Sequence, residues 1–218
     1  MWSDTFLLQH PEHFKERLDR RLEGPLPGRR AQERLAPRPR SLTSPPDANP
    51  RQSAVLVPLL AYREEVHLLL TVRTFTLNHH GGEVSFPGGA LEPGDTDLFQ
   101  TALRETCEEI GLSPDHVVRL GRLTNLYIPP SNNLVHPFVG WLTDVALLQA
   151  NPIEVERILC VPLRFLLDAN NRQREEWNLQ GRVLEVPFYP VMGIKIWGAT
   201  AMMLGELLAV VEEIVDDN

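Results

Sequence analysis

Arg104, Glu105, Glu108 and Glu109 have the residue types and the spacing that metal-assisted chemistry requires. An α-helix turns by about 100° per residue, so side chains three and four positions apart lie on one face. The three carboxylates would therefore share a patch, where like charges destabilise an isolated helix by roughly 0.2–0.5 kcal/mol per pair. A hard divalent cation such as Mg²⁺ reverses that penalty, because it binds oxygen and favours carboxylates together with substrate phosphates. The spacing indicates a metal-binding helix face.

The neighbours of this acidic patch set it apart from an ordinary solvated acidic surface. Gly88 and Gly89 form a glycine turn upstream, and Gly111 follows the last acidic residue closely enough to end the helix. Arg104 lies four positions before Glu108, so its guanidinium can pair with that carboxylate and orient it. A solvated acidic run requires neither the glycines nor the arginine.

The segment from Arg104 to Leu112, RETCEEIGL, resembles the second half of the Nudix box, the loop–helix–loop signature of Nudix hydrolases. Thr106 stands where that family usually has an aliphatic residue. The first half of the box departs from the family pattern, because its glycine is displaced by one residue and its glutamate position falls on Thr96. Asp95 or Asp97 is a candidate replacement for the missing acid.

A second signature, just before the box, resembles the coenzyme A diphosphatase branch of this family. Its residues here are Leu69, Leu70, Thr71, Arg73, Thr74, Leu77, His80, Gly82, Glu83, Val84, Phe86, Pro87, Gly88 and Gly89. Thr74 replaces the serine that is usual in the branch. The resemblance implies that Arg73, His80, Gly88 and Gly89 bind the substrate, since a guanidinium fork matches the geometry of a phosphate. The alternative for His80 is that it stabilises the glycine turn.

Together the two signatures imply a metal-dependent hydrolase that splits coenzyme A or its thioesters into 3′,5′-ADP and a 4′-phosphopantetheine product. Glu105, Glu108 and Glu109 would hold Mg²⁺ or Mn²⁺, with Arg104 in the catalytic set. The general base would be one of these glutamates or Glu154 from a later loop. Two alternatives stay open: a Nudix hydrolase of another nucleoside diphosphate derivative, such as ADP-ribose or NADH, and a Nudix-fold binding protein without turnover.

Composition limits the class of protein and of partner. The 218 residues are 43% hydrophobic and 23% charged, which is typical of a globular domain with a real core. No run of 18 apolar residues or secretory signal is visible, so we expect a cytoplasmic protein that does not contact a membrane. The net charge of −8 repels polyanions, which argues against a nucleic-acid partner. A small anionic substrate remains compatible, because a bound metal inverts the local field.

The sequence divides into an N-terminal part, residues 1–50, and a hydrolase domain, residues 51–218, which we expect to fold without the N-terminal part. The N-terminal part has an amphipathic helix over 10–22 and then a Pro- and Arg-rich connector, which we predict to be extended. The helix could pack on the domain or on a second subunit, which leaves a homodimer open. The arginines of the connector are predicted to be solvated, with a position over the active-site mouth as the alternative.

Within residues 51–218, strands alternate with helices, which predicts an α/β fold with a sheet covered on both faces. The Nudix resemblance implies an α/β/α sandwich with a mixed sheet around the box loop–helix–loop. Strands are predicted over 53–61, 66–73, 83–86, 117–127, 134–142, 183–188 and 193–197. Helices are predicted from about residue 96 or 97 to the glycine at 111, from residue 151 over a short span, and over 163–167 and 199–215.

Overall fold

The computed structural model describes residues 4–39, 49–75, 81–146, 148–179 and 181–216. Its strands are β1 (Arg51–Tyr62), β2 (Glu65–Arg73), β3 (Val84–Ser85), β4 (Gly88–Ala90), β5 (Val117–Arg122), β6 (Leu126–Ile128), β7 (Asn133–Leu142), β8 (Val155–Pro162), β9 (Gln173–Leu179), β10 (Arg182–Val191) and β11 (Ile194–Ile196). Its helices are α1 (Asp4–Leu8), α2 (Pro11–Leu22), α3 (Arg29–Gln32), α4 (Leu98–Ile110), α5 (Leu163–Leu167) and α6 (Gly198–Asp216).

Strand β1 organises the larger sheet. It pairs in parallel with β7 along most of its length, and antiparallel with β2 at one end and β4 at the other. Strands β3 and β8 extend the sheet beyond β2, and β5 and β6 pair with β7. The mixed sheet implied by the Nudix resemblance is thus confirmed. Among the described residues, no helix combines the length and apolar character needed to cross a bilayer.

Side chains of β1 alternate between the two faces of the sheet, as the two-residue period of a strand requires. Val57 and Leu59 pack in one core with helices α2 and α6, whereas Leu56 and Leu60 pack in a second core beneath helix α4. The sheet is therefore covered on both faces, as predicted. Helices α4 and α6 lie on opposite sides of it.

Four local predictions differ from the structure. Residues 88–90, expected as part of a turn, form strand β4, and the predicted strand 117–127 is interrupted between β5 and β6. The segment after Asn151 is a turn that leads into β8 rather than a helix. Strands β8 and β9 were not predicted, because their exposed, charged positions interrupt the apolar alternation that identifies a strand.

The N-terminal residues belong to the same core as the hydrolase domain. Phe14, Leu18 and Leu22 of helix α2 are at most 7% exposed and join the core that contains α6. The connector is not wholly extended, since it contains helix α3. Glu206 of helix α6 is fully buried and accepts hydrogen bonds from the backbone N–H of Gly28 and the side chain of Gln32. These contacts anchor the connector to α6.

Candidate active site

Helix α4 carries the predicted carboxylates, and local signals set both of its ends. The Asp97 side chain caps the helix by accepting hydrogen bonds from the backbone N–H groups of residues 99 and 100. Gly111 ends it in the left-handed conformation at φ +69°. Both features confirm the sequence-based prediction. Cys107, on the same helix, is exposed.

Arg104 is the hub of the site. Its Nε and Nη2 donate to the two carboxylate oxygens of Asp95 at 3.0 and 3.1 Å, which is a bidentate pair. Its Nη1 donates to Glu105 at 3.1 Å and to Glu108 at 3.2 Å. Its Nη2 also donates a hydrogen bond to the carbonyl oxygen of Ala90 at 3.1 Å. One guanidinium therefore joins the loop before the helix to two of the three candidate metal ligands.

The acid that pairs with Arg104 is Asp95, which resolves the choice between Asp95 and Asp97 left open by the sequence. The hydrogen bonds from Arg104 hold the pKa of Asp95 well below its usual range. Asp95 therefore stays ionised at any working pH. Asp97 has the separate role of capping the helix.

Glu109 has the most unusual environment of the three box carboxylates. Its side chain is 2% exposed, and its Oε2 atom is buried without any hydrogen-bond partner. The nearest cation is Arg73, whose Nη1 lies 3.9 Å from Oε1. Burial raises the pKa of Glu109 to about 8, against the opposing effect of Arg73, and the negative charges of Glu105 and Glu154 raise it further. In the metal-free protein this carboxyl holds a proton at neutral pH.

Gly89 makes room for Glu105, and Gly88 has a different role. A Cβ atom at Gly89 would overlap the Glu105 carboxylate, so only glycine allows that carboxylate to lie against the backbone of β4. A Cβ atom at Gly88 would instead overlap the carbonyl oxygen of Ala54 in β1. Burial raises the pKa of Glu105, and Arg104 opposes this shift. Gly89 thus shapes the site, whereas Gly88 allows the two strands to pair.

Glu154 lies within electrostatic range of the helix carboxylates. Its negative charge contributes to the raised pKa values of both Glu105 and Glu109. The loop that carries it is held at two points: the Asn151 backbone N–H donates to the Glu109 carbonyl at 2.8 Å, and the Thr74 backbone N–H donates to the Glu154 carbonyl at 2.9 Å. The fold thus brings Glu154 and Arg73 to the carboxylate helix. His80 lies outside the described residues.

These oxygen donors fit a hard divalent cation. The Oε2 atom of Glu109 is an unused acceptor in a buried position, and Glu105 is near enough for its charge to raise the pKa of Glu109. The described residues contain no group of three His, Cys, Asp or Glu side chains already gathered around one point. Arg104 bonds to two of the candidate ligands, Glu105 and Glu108. The carboxylates that a divalent cation would require are present, and ion pairs with Arg104 hold two of them in position.

Comparison with known proteins identifies the family of the chain. Residues 50–177 match the NUDIX domain family. The chain belongs to the Nudix family. It is 37% identical, over 82% of its length and 92% of the relative's, to an uncharacterized Nudix hydrolase NudL of Photorhabdus laumondii. It is 40% identical, over 59% of its length, to a peroxisomal coenzyme A diphosphatase, NUDT7, of Mus musculus, and spans about half of that relative (54%).

The solved structure of a MutT/nudix family protein from Enterococcus faecalis supports the same fold. The match covers 79% of this chain and 65% of the chain of that protein, with a TM-score of 0.50 at 15% identity. At that identity the likeness concerns the fold alone. The sequence-based prediction of a Nudix hydrolase is thus confirmed, and the chain is a Nudix hydrolase with a coenzyme A diphosphatase among its relatives.

Arg29 and Arg34 of the connector do not lie at this site. Arg29 pairs with Glu33 at 2.8 Å, and Arg34 lies 3.4 Å from Glu212 of helix α6, which covers the other face of the sheet. The alternative in which these arginines cover the active-site mouth finds no support in the described part of the connector.

Proposed function

We propose that this Nudix hydrolase cleaves the diphosphate bond of coenzyme A or its thioesters, with Mg²⁺ or Mn²⁺ held by Glu105, Glu108 and Glu109. The observation that carries the metal proposal is the buried, unpartnered Oε2 of Glu109 beside a second carboxylate. The substrate proposal rests on the signature that includes Arg73, Gly88 and Gly89, and on the coenzyme A diphosphatase among the relatives.

The bound cation would neutralise phosphoryl oxygens and lower the pKa of a water molecule. The residues of the chain complete the site around that chemistry. Arg104 positions the carboxylates of Glu105 and Glu108, which it contacts directly. Arg73, 30% exposed and beside Glu109, can turn part of its guanidinium to a phosphate oxygen of the substrate. Glu154 or one of the box glutamates would accept the proton of the attacking water.

Product analysis tests this proposal. Purified protein is incubated with coenzyme A and either Mg²⁺ or Mn²⁺, and the products are identified by chromatography and mass spectrometry. The expected products are 3′,5′-ADP and 4′-phosphopantetheine, with no turnover in excess EDTA. ADP-ribose and NADH are compared in parallel by kcat/KM. A higher kcat/KM for either of them would transfer the assignment to another nucleoside diphosphate derivative, and binding without any product would favour a non-catalytic protein.

Comparison with 3′-dephospho-coenzyme A tests how the substrate is recognised. Because a metal held by the three box carboxylates would contact only the diphosphate, discrimination between substrates would have to come from contacts elsewhere on the substrate. One arginine–phosphate hydrogen bond contributes roughly 1.5–3 kcal/mol, so coenzyme A should be the better substrate by about tenfold to a hundredfold. Equal kcat/KM values would remove the 3′-phosphate as a recognition element. A cytoplasmic location and a homodimer stay predictions.

A further inference from the structure

A cavity of about 330 Å³ lies apart from the carboxylate helix, next to α6. Four of its lining residues are arginines from separate parts of the chain, and the rest include one acid, a tyrosine and a short apolar wall. The residues used below are Arg34, Arg38, Arg172, Arg174, Tyr189 and Glu212. Helix α6 packs on the face of the sheet opposite to α4, so the cavity is not part of the active site.

The charge around this cavity is strongly positive. Four guanidinium groups face a single lining carboxylate, that of Glu212, in a chain whose net charge is −8. Arg34 is paired with Glu212 at 3.4 Å, and Arg174 is paired with Glu185 at 3.0 Å. Neither Arg38 nor Arg172 forms an ion pair with any carboxylate among the described residues. Two cations are therefore available to an anionic ligand.

The fold holds these arginines in place through the backbone. The N–H and the carbonyl of Arg38 bond to those of Glu185 in strand β10, at 2.9 and 2.7 Å, which fixes the connector against the smaller sheet. Arg174 lies in the neighbouring strand β9, with Arg172 directly before that strand. Residues from two distant parts of the chain are thus brought to one cavity by regular pairing.

Tyr189 adds a neutral donor. It is 3% exposed, and no described residue forms a hydrogen bond with its hydroxyl. Burial raises the pKa of Tyr189 to about 12, against the opposing effect of Arg172, so the hydroxyl keeps its proton at neutral pH. It can therefore donate to an anion alongside the guanidinium groups.

We infer that this cavity binds the phosphate group of a small metabolite, at a second site separate from the carboxylate helix. Guanidinium forks match phosphate oxygens in pairs, and two guanidinium groups without ion pairs, those of Arg38 and Arg172, suit a dianion better than a monocarboxylate. The volume limits the ligand to a small molecule rather than a nucleic acid or a protein segment. The site is built in part from the connector, so a bound phosphate would also fasten residues 34–38 to the domain.

Calorimetric titration with inorganic phosphate tests the inference. The full chain is titrated in EDTA, at constant ionic strength set with chloride, with acetate as a second probe. Saturable binding of phosphate is expected, with acetate at least about tenfold weaker. Arg38→Ala and Arg172→Ala should each weaken phosphate binding by about tenfold, as expected for the loss of one charge-assisted contact. Tyr189→Phe, which keeps the ring and its packing, should weaken it less.

Arg20→Ala is the matched control, because Arg20 is an exposed arginine on helix α2 outside the cavity. It should leave phosphate binding unchanged. Hydrolysis by Arg38→Ala and Arg172→Ala should equal that of the wild type, because neither residue belongs to the carboxylate site. The inference is overturned if phosphate does not saturate the wild type, if Arg20→Ala weakens binding as much as Arg172→Ala, or if acetate binds as tightly as phosphate.

Discussion

Replacing Glu109 by glutamine should stabilise the metal-free protein, and the gain should grow with pH. The folded carboxyl has a pKa of about 8, against 4.5 ordinarily. Between these values the folded chain holds a proton that the unfolded chain has released. The contribution of Glu109 to the free energy of unfolding is therefore fully present below about pH 4.5 and is lost as pH rises through 8. Glutamine resembles the protonated form and has no such pH dependence.

The size of the effect follows from the width of that window. A shift from 4.5 to about 8, at 1.36 kcal/mol per unit, gives an upper bound of about 5 kcal/mol. Relaxation of the pocket and entry of water reduce the cost of ionising a buried acid. We expect the Glu109→Gln variant to gain about 2–4 kcal/mol over the wild type between pH 5 and pH 9. Catalytic turnover should be nearly abolished in the same variant.

Urea unfolding followed by circular dichroism, in EDTA at pH 5, 7 and 9, measures the effect. Glu108→Gln is the matched control, because that side chain is 54% exposed and its neighbour is Arg104. It should also lose turnover, but without the gain in stability expected for Glu109→Gln. Parallel stability curves for the wild type and Glu109→Gln across this range would refute the buried, protonated state.

Cation binding offers a second test of whether the Glu109 carboxyl is protonated. A divalent metal requires the ionised carboxylate, so binding at pH 7 should release about one proton from Glu109. Calorimetry in buffers of different ionisation enthalpy gives that number directly. Release should persist in Glu108→Gln, and a wild type that binds metal without releasing a proton would contradict the assignment.

Five further changes separate the function of the site from its folding. Gly89→Ala should displace the Glu105 carboxylate and lower kcat with little loss of stability, whereas Gly88→Ala, which meets backbone in β1, should lower the Tm. Asp95→Asn should lower kcat at least about tenfold by releasing Arg104, whereas Asp97→Ala should cost about 1 kcal/mol of stability through the lost cap and leave kcat near normal. Equal effects within either pair would contradict these roles. Deleting residues 1–50 should give a poorly folded protein by circular dichroism; a soluble, cooperatively folding 51–218 fragment would refute this.

The last of these predictions reverses the expectation from sequence. A proline-dense connector after a short amphipathic helix predicts a removable segment. The structure instead buries Phe14 and Leu18 in the main core and anchors the connector at Glu206. The apolar spacing predicted helix α2 itself, but it could not predict which surface the helix packs against. Leu59 and Leu207, which share its core, lie far from it along the chain. The start of the family match at residue 50 therefore marks a limit of similarity and not a limit of the core.

Local signals explain what the sequence did predict. The helix spacing, the capping aspartate and the terminal glycine all act within a few residues, so the bounds of α4 follow from them directly. The partner of Arg104 was harder to predict from the sequence. Asp95 lies nine positions away across an irregular loop, and no periodicity connects the two residues. The contact between Arg73 and Glu109 joins a strand to a helix and depends on the sheet register.

Three chemically identical carboxylates become different groups in this fold. Glu108 is exposed and bonded to Arg104, Glu105 is partly buried beside Gly89, and Glu109 is buried with one oxygen unpartnered. An evenly hydrated acidic patch would simply repel itself, and a solvated acid would not keep a proton at neutral pH. Arg104 bonds to both outer groups and also to Asp95, so its single positive charge faces three carboxylates. A proton neutralises the inner carboxyl. A cation that replaces that proton would therefore enter a site that still carries a net negative charge.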